Sequence, residues 1–322
     1  MGRKKVTVAG SGHVGATVAQ KIAERELADV VLIDILPGVP QGKALDMAES
    51  SPLERFNMGL VGTNDYADTA GSDMVVITAG LARKPGMSRD DLAAKNAEIV
   101  GGVASQAFRH SPGAMFLVVT NPMDVMTYVV AEVTGLPKSR VFGMGGVLDS
   151  ARFSTFVSRE LNVSVENVHT FVLGGHGDLM LPMARYSTVA GVPLPELIPA
   201  DRLEAIIRRT RDGGAEIVNL LQSGSAYYAP GAAVAEMVEA VFKDKKKILP
   251  CAAHLAGQYG FEGVYTGVPA KLGAGGVESI VEIPLSPDEK KAFAASVAAV
   301  RDGVGRLGDV LAKLKSTKGQ SA

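Results

Sequence analysis

Two rhythms of apolar residues alternate along the first half of the chain. Short apolar runs at 5–9, 30–33, 72–78 and 115–120 read as strands. The runs at 72–78 and 115–120 are almost unbroken, as strands buried on both faces should be. Between them, apolar residues recur in steps of three and four. That spacing predicts helices over 14–25, 41–56 and 123–132, and one in which Leu92, Asn96, Ile99, Val103 and Ala107 share a face. A weak strand falls at 60–62 and a sixth at 141–144. Strand and helix in regular alternation predict an α/β fold, a parallel sheet covered by helices.

The rhythm changes after Gly145. A helix over 148–161 and a strand over 168–173 lead to a loop with Pro193, Pro195 and Pro199. Helices over 201–221 and 232–242 follow, then strand-like runs at 248–255, 264–272 and 277–282. After Pro287, the residues Phe293, Val297, Val300, Val304, Leu307, Leu311 and Leu314 step by four and three, predicting one amphipathic helix docked on the body. The last residues, 316–322, should fray. Gly273 to Gly276 sits between two strand runs with no helix after it, so it reads as a hairpin turn. Lys245, Lys246 and Lys247 read as a solvated turn.

One stretch organises the first half. Lys5 to Ala9 is a strand, Gly10-Ser11-Gly12-His13-Val14-Gly15 a glycine-rich turn, and a helix follows. The next strand ends in Asp34, nineteen residues beyond Gly15. This is the context a dinucleotide fingerprint requires. Gly10 permits the tight turn, Gly12 lets backbone approach a pyrophosphate, and Gly15 lets helix pack on strand. The start of the helix offers unpaired N–H groups to that anion. Asp34 would accept hydrogen bonds from a ribose 2′-hydroxyl and repel a 2′-phosphate, so the cofactor is expected to be NAD rather than NADP. The plain alternative is a structural βαβ turn with no ligand. The fold class is therefore read as α/β, a Rossmann doubly wound parallel sheet over residues 1–144 followed by an α+β catalytic domain over 145–322.

Charge narrows the partners. The 322 residues carry 33 Lys and Arg against 34 Asp and Glu, which excludes the basic footprint of a nucleic-acid binder. No apolar run approaches the ~18–20 residues of a membrane span. The chain enters its first strand at once, leaving no room for a signal peptide, and a cytoplasmic location is expected. Cys251 is the single cysteine and sits in an apolar run, which suits a reducing compartment and a buried strand. No metal site is expected.

The reactive residues cluster after strands. In an open α/β sheet, ligands bind outside the carboxyl ends of the strands. Asn121 follows one strand, and Arg83 and Arg89 follow another in a Gly- and Pro-containing segment over 81–90 that fits a lid. His176 follows a strand of the second half inside Gly174-Gly175-His176-Gly177-Asp178, where the glycines should leave its ring accessible. It is the natural general acid and base. Asp149 is one candidate to hold its ring, and Asp178 the other. Arg152 stands three residues after Asp149, on the same helix face, where its planar fork suits a carboxylate. His13, His110, His169 and His254 read as structural or surface residues.

Six motifs together, AGSGHVG, TAGLARKPGMSRDDL, TNPMD, GGVLDSARF, GGHGD and GSAYYAPGAA, resemble the NAD-dependent malate dehydrogenases of the branch close to L-lactate dehydrogenase. The resemblance runs in order through essentially the whole chain. It implies His176 as proton donor and acceptor with Asp149 as its partner. It also implies that Arg152 holds the substrate C1 carboxylate and that Arg89 and Asn121 engage the reacting carbonyl. Arg83 falls at the specificity position, where lactate dehydrogenases carry glutamine. Gly10, Ser11, Gly12, His13, Val14, Gly15, Asp34, Asn96, Val119, Thr120 and Asn121 fall at cofactor positions. The implied reaction is reversible oxidation of (S)-malate to oxaloacetate by a homo-oligomer, a tetramer favoured over a dimer. The alternatives are another 2-hydroxyacid dehydrogenase, which Arg83 argues against, or a non-catalytic NAD-binding module. Two departures from lactate dehydrogenases are the missing N-terminal arm and Gly175, where they place a glutamate.

Overall fold

A computed structural model describes residues 2–81 and 89–318, with the backbone alone at Arg89, Thr317 and Lys318. Arg83 and most of the expected lid lie outside the described residues.

The first half is β1 (Lys5–Ala9), α1 (His13–Glu24), β2 (Asp29–Ile33), α2 (Val39–Glu54), β3 (Leu60–Thr63), β4 (Met74–Ile77), α3 (Arg89–His110), β5 (Met115–Val118), α4 (Met123–Thr134) and β6 (Val141–Gly143). These six strands are parallel, in the order β3-β2-β1-β4-β5-β6. That is the doubly wound order, and it reverses direction between β1 and β4. Val6, Val8, Met74, Val75, Val76, Ile77, Phe116 and Leu117 are wholly buried, which is why these strands read as unbroken apolar runs.

The second half begins with α5 (Gly146–Leu161) and five short strands: β7 (Val168–His169), β8 (Val172–Leu173), β9 (Leu181–Pro182), β10 (Thr188–Val189) and β11 (Val192–Pro193). Then come α6 (Leu194–Leu197), α7 (Ala200–Leu221), α8 (Tyr228–Phe242), β12 (Lys247–Ala256), β13 (Glu262–Gly273), β14 (Gly276–Ile280), α9 (Pro287–Gly305) and α10 (Gly308–Lys318). β12 pairs antiparallel with β6 through Ala252 and Gly143, so β12, β13 and β14 extend the first-half sheet to nine strands. Gly273 to Gly276 is the hairpin turn between β13 and β14. Cys251 is buried in β12, and burial pushes its thiol up to about 12.

The structure departs from the sequence reading at four places. The expected strand over 168–173 is two strands in different sheets, since β7 pairs with β10 and β8 with β9. The expected final helix breaks after Gly305. Gly303, Gly305 and Gly308 weaken the helix there, and the break lets Leu307 turn into the core. The buried face of α3 runs through Asn96, Ala97, Val100, Ala104 and Ala107, so Ile99 and Val103 sit at its margin. α3 starts at Arg89, which places that residue on a helix and not in the loop. Lys245, Lys246 and Lys247 are exposed, in keeping with a solvated turn, and are ion-paired to Glu239, Glu278 and Glu236.

Candidate active site and cofactor turn

The glycine turn lies at the point where strand order reverses. Gly10 has φ +102°, open only to glycine, and its N–H donates to the Ile33 carbonyl at 2.8 Å. A Cβ on Gly10 would stand 2.6 Å from Ala79 N, just past β4. A Cβ on Gly15 would overlap the Gly10 carbonyl oxygen, so α1 packs this close only because Gly15 has none. Gly12 faces open space within 4 Å. α1 carries no side-chain cap at its start. A turn that is closed at Gly10 and Gly15, open at Gly12 and ends on uncapped helix N–H groups fits a pyrophosphate.

Asp34 stands beside this turn. Its Oδ2 accepts from Ser11 N at 2.6 Å and Ser11 Oγ at 2.8 Å, and its Oδ1 accepts from Leu36 N at 3.1 Å. Partial burial works against its charge, but these donors outweigh it and hold the carboxyl below its ordinary value. Lys43 Nζ donates to the Ser11 carbonyl at 2.6 Å. The sequence signalled Asp34 but not Lys43, which lies in α2 without a motif around it.

At the ends of β4 and β5, buried Asn96 is a brace. Its Oδ1 accepts from Leu81 N at 2.8 Å, and its Nδ2 donates to Leu81 O at 3.2 Å and Asn121 O at 2.8 Å. Thr120 Oγ1 donates to Ala79 O at 2.7 Å. Together these bonds fix the backbone around Val119, Thr120 and Asn121.

α5 begins on a crowded floor. A Cβ on Gly145 would stand 3.1 Å from His176 Cβ, and one on Gly146 would stand 2.7 Å from the Pro250 carbonyl. The Ser150 hydroxyl accepts from Val172 N at 3.1 Å, tying α5 to β8. That tie brings Asp149 to the turn after β8. Asp149 Oδ2 lies 2.7 Å from His176 Nδ1, and Asp149 Oδ1 accepts from an Arg152 guanidinium nitrogen at 3.2 Å. Asp149 is 1% exposed, so one buried carboxylate orients both side chains. Of the two candidates for the histidine's partner, the ring faces Asp149.

The backbone of the His176 turn is held from three directions. Gly174 N donates to Gly267 O of β13 at 2.9 Å, Gly175 N to Ser296 Oγ of α9 at 2.9 Å, and His176 N to Asp124 Oδ2 of α4 at 2.7 Å. Two of the glycines answer to packing. Gly174 has φ +82°, and a Cβ there would stand 2.7 Å from Ser296 Oγ. A Cβ on Gly175 would meet Val300 at 2.9 Å. Only Gly177 faces open space, so accessibility of the ring explains one glycine of the three.

Desolvation opposes a charge on His176, yet Asp149, followed by Asp124, outweighs it and raises the pKa above its ordinary value. Burial pushes the Asp124 carboxyl up to about 6. Ser296 and Asp124 were not singled out in the sequence, although Asp124 lies in the TNPMD motif. Arg152 is 12% exposed along its side chain, and its Nε is buried without a hydrogen-bond partner among the described residues.

His176, Asn121, Asp124 and Asp178 line a cleft of about 590 Å³, with Val300 and Leu307 among its apolar lining. The Asn121–Pro122 bond at its edge is cis. Asp90 and Leu92 at the start of α3 also border it. No group of three or more His, Cys, Asp or Glu suited to a metal ion occurs among the described residues.

Comparison with known proteins agrees with this layout. Residues 4–143 match the NAD binding domain of lactate/malate dehydrogenase, and residues 146–305 match the alpha/beta C-terminal domain of the same family. A malate dehydrogenase from Desulforudis audaxviator is 58% identical over 301 residues, 94% of this chain and 97% of that relative. The structure of malate dehydrogenase from Salinibacter ruber superposes with a TM-score of 0.92 at 52% identity, over 96% of this chain and 99% of that one. Malate dehydrogenase from Plasmodium falciparum in complex with NADH superposes with a TM-score of 0.89 at 35% identity, over 96% of this chain and all of that one. The chain belongs to the lactate/malate dehydrogenase family.

Proposed function

We infer that the protein is an NAD-dependent malate dehydrogenase, interconverting (S)-malate and oxaloacetate. The observation that carries this reading is the bridge made by Asp149 between His176 Nδ1 and Arg152. A 2-hydroxyacid needs a base at its hydroxyl and a cation at its carboxylate, in fixed relation, and one buried carboxylate orients both. The malate dehydrogenases reported above, similar over almost their full length, support the choice of substrate.

Bound NAD⁺ supplies the acceptor for the hydride leaving malate C2. The chain's residues manage the proton and the charge. With Nδ1 turned to Asp149, His176 presents Nε2 to the substrate and takes the hydroxyl proton there. In reduction, the protonated ring returns it to the carbonyl oxygen, and its raised pKa favours that charged form. Arg152 holds the C1 carboxylate, Asn121 and Arg89 engage the reacting oxygen, and Arg83 grips the second carboxylate. In this reading residues 1–144 serve the cofactor and residues 145–322 the substrate.

The protein is further proposed to be a cytoplasmic homo-oligomer. No described helix is long and apolar enough to cross a membrane. Leu45 and Leu53 on α2 and Leu220 near the end of α7 are exposed at 62%, 83% and 77%, apolar surface that a second copy would cover. Light scattering on the eluted protein measures the assembly. The functional test is NADH consumption with oxaloacetate and with pyruvate. Rapid turnover of oxaloacetate alone is expected, a preference for pyruvate would make the protein a lactate dehydrogenase, and no turnover of either would leave only a binding module.

A further inference from the structure

His13 and Tyr227 are stacked, with ring centroids 5.0 Å apart and planes inclined by 27°. His13 is the first residue of α1, and Tyr227 stands immediately before α8. The pair therefore joins the starts of two helices, one from each half of the chain. The helices approach this closely because Gly231 of α8 lies over α1, where a Cβ would stand 2.5 Å from Thr17 Cγ2. Tyr228 extends the aromatic group, its ring centroid 4.3 Å from that of Tyr227. Neither helix start carries a side-chain cap.

This location differs from an ordinary surface stack. α1 starts at the glycine turn, and Gly12, the residue before His13, faces open space. An unpartnered histidine ring on the first residue of α1 would be free to swing over that opening. Stacked on Tyr227, the ring is held against the start of α8 at the position directly after Gly12, and an imidazole can supply an N–H donor to an anion bound there.

We propose that the His13–Tyr227 stack is a clasp for the pyrophosphate end of the cofactor. Tyr227 is a positioning residue that acts through His13, and through it α8 of the substrate half takes part in holding the dinucleotide. The inference rests on the NAD reading of the glycine turn. A stack that merely glued two helices together would affect stability and leave ligand affinity alone.

The test is calorimetric titration of the full chain with ADP-ribose, which carries both phosphates, and with AMP, which carries one. Wild-type protein should bind both. Tyr227→Ala should weaken ADP-ribose about two- to tenfold, the range of an aromatic pair, and AMP less than about twofold. His13→Ala should do the same. Tyr227→Phe keeps the ring and should keep the wild-type affinity. Because the two rings act as a unit, the double alanine variant should bind ADP-ribose no more weakly than His13→Ala. Unchanged ADP-ribose affinity in Tyr227→Ala, equal losses for AMP and ADP-ribose, or additive losses in the double variant would each overturn the clasp. Failure of the wild-type protein to bind either ligand would instead overturn the NAD reading beneath it.

Discussion

Asp124 accepts the backbone N–H of His176 at 2.7 Å, from behind the ring that faces Asp149. His176 thus has one carboxylate on its side chain and another on its main chain. Asp124 is buried in the first turn of α4, where the helix N-terminus favours an anion, and its Oδ1 has no hydrogen-bond partner among the described residues.

Replacing Asp124 by Asn keeps an acceptor for the His176 N–H and removes the charge. Asp124 helps to raise the His176 pKa, so the pKa should fall in Asp124→Asn. In the proposed mechanism, oxaloacetate reduction draws its proton from the charged ring and loses rate as pH rises through that pKa. The descending limb of kcat/KM against pH should therefore move to lower pH, and a limb that stays in place would show no electrostatic coupling. Stability gives a second readout. Burial raises the folded pKa of Asp124 from 3.8 to about 6, so its contribution is present below about 3.8 and lost as pH rises through about 6. The variant should lack that component of the stability profile.

Asp149→Asn tests the bridge itself. An amide cannot hold the ring with the same strength and leaves Arg152 without its anionic partner. Turnover should fall about 10²–10⁴-fold, the usual worth of a positioned acid–base group, and KM for oxaloacetate should rise with it. NADH affinity, measured by fluorescence titration, should change little. A fall in kcat at unchanged KM would mean that Arg152 does not depend on Asp149.

The architecture was legible where periodicity and turn chemistry acted together. Val75 and Val76 announced a doubly covered strand, and Gly10, Gly15 and Asp34 announced the turn beside it. His176 and Arg152 were legible as residue types in a motif. Their geometry was not, because it depends on Ser150 tying α5 to β8 and on backbone donors of Gly174, Gly175 and His176 reaching β13, α9 and α4. Such contacts have no local pattern. Asp124 could have been noticed as an acid in TNPMD, but only burial reveals its weight. The break at Gly305 was missed because the apolar steps continue straight through it.

Two adjacent glycines in the middle of α7 disfavour the helix, by about 1 kcal/mol each relative to alanine, and Arg152 supplies the reason for one of them. A Cβ on Gly213 would stand 3.1 Å from Arg152 Cδ, and one on Gly214 would stand 3.7 Å from its guanidinium. Gly213→Ala should displace the arginine by a few tenths of an ångström while favouring the helix. KM for oxaloacetate should rise about three- to tenfold with no loss of Tm. A lowered Tm with unchanged KM would mean that Gly213 serves the fold and not the arginine.

Oxaloacetate and pyruvate differ by one carboxylate, and only a group near that end of the substrate can tell them apart. Arg83 lies outside the described residues, but the flanks of its segment are placed. Asn96 pins Leu81 on one side, and on the other Asp90 pairs with Arg306 where α3 begins beside the cleft of His176 and Asn121. The described residues that flank Arg83 in sequence therefore stand close to the cleft. A charge-assisted hydrogen bond contributes about 1.5–3 kcal/mol, roughly ten- to a hundredfold in rate. Discrimination exceeds that figure if pyruvate leaves the cation buried and unpaired. Arg83→Gln should lower kcat/KM for oxaloacetate by at least about tenfold, raise it for pyruvate, and leave NADH affinity nearly unchanged. A solvated loop arginine would leave both substrates indifferent. If the variant keeps its full preference for oxaloacetate, residue 83 is not the selector, and the preference must come from groups around Arg152 and α7.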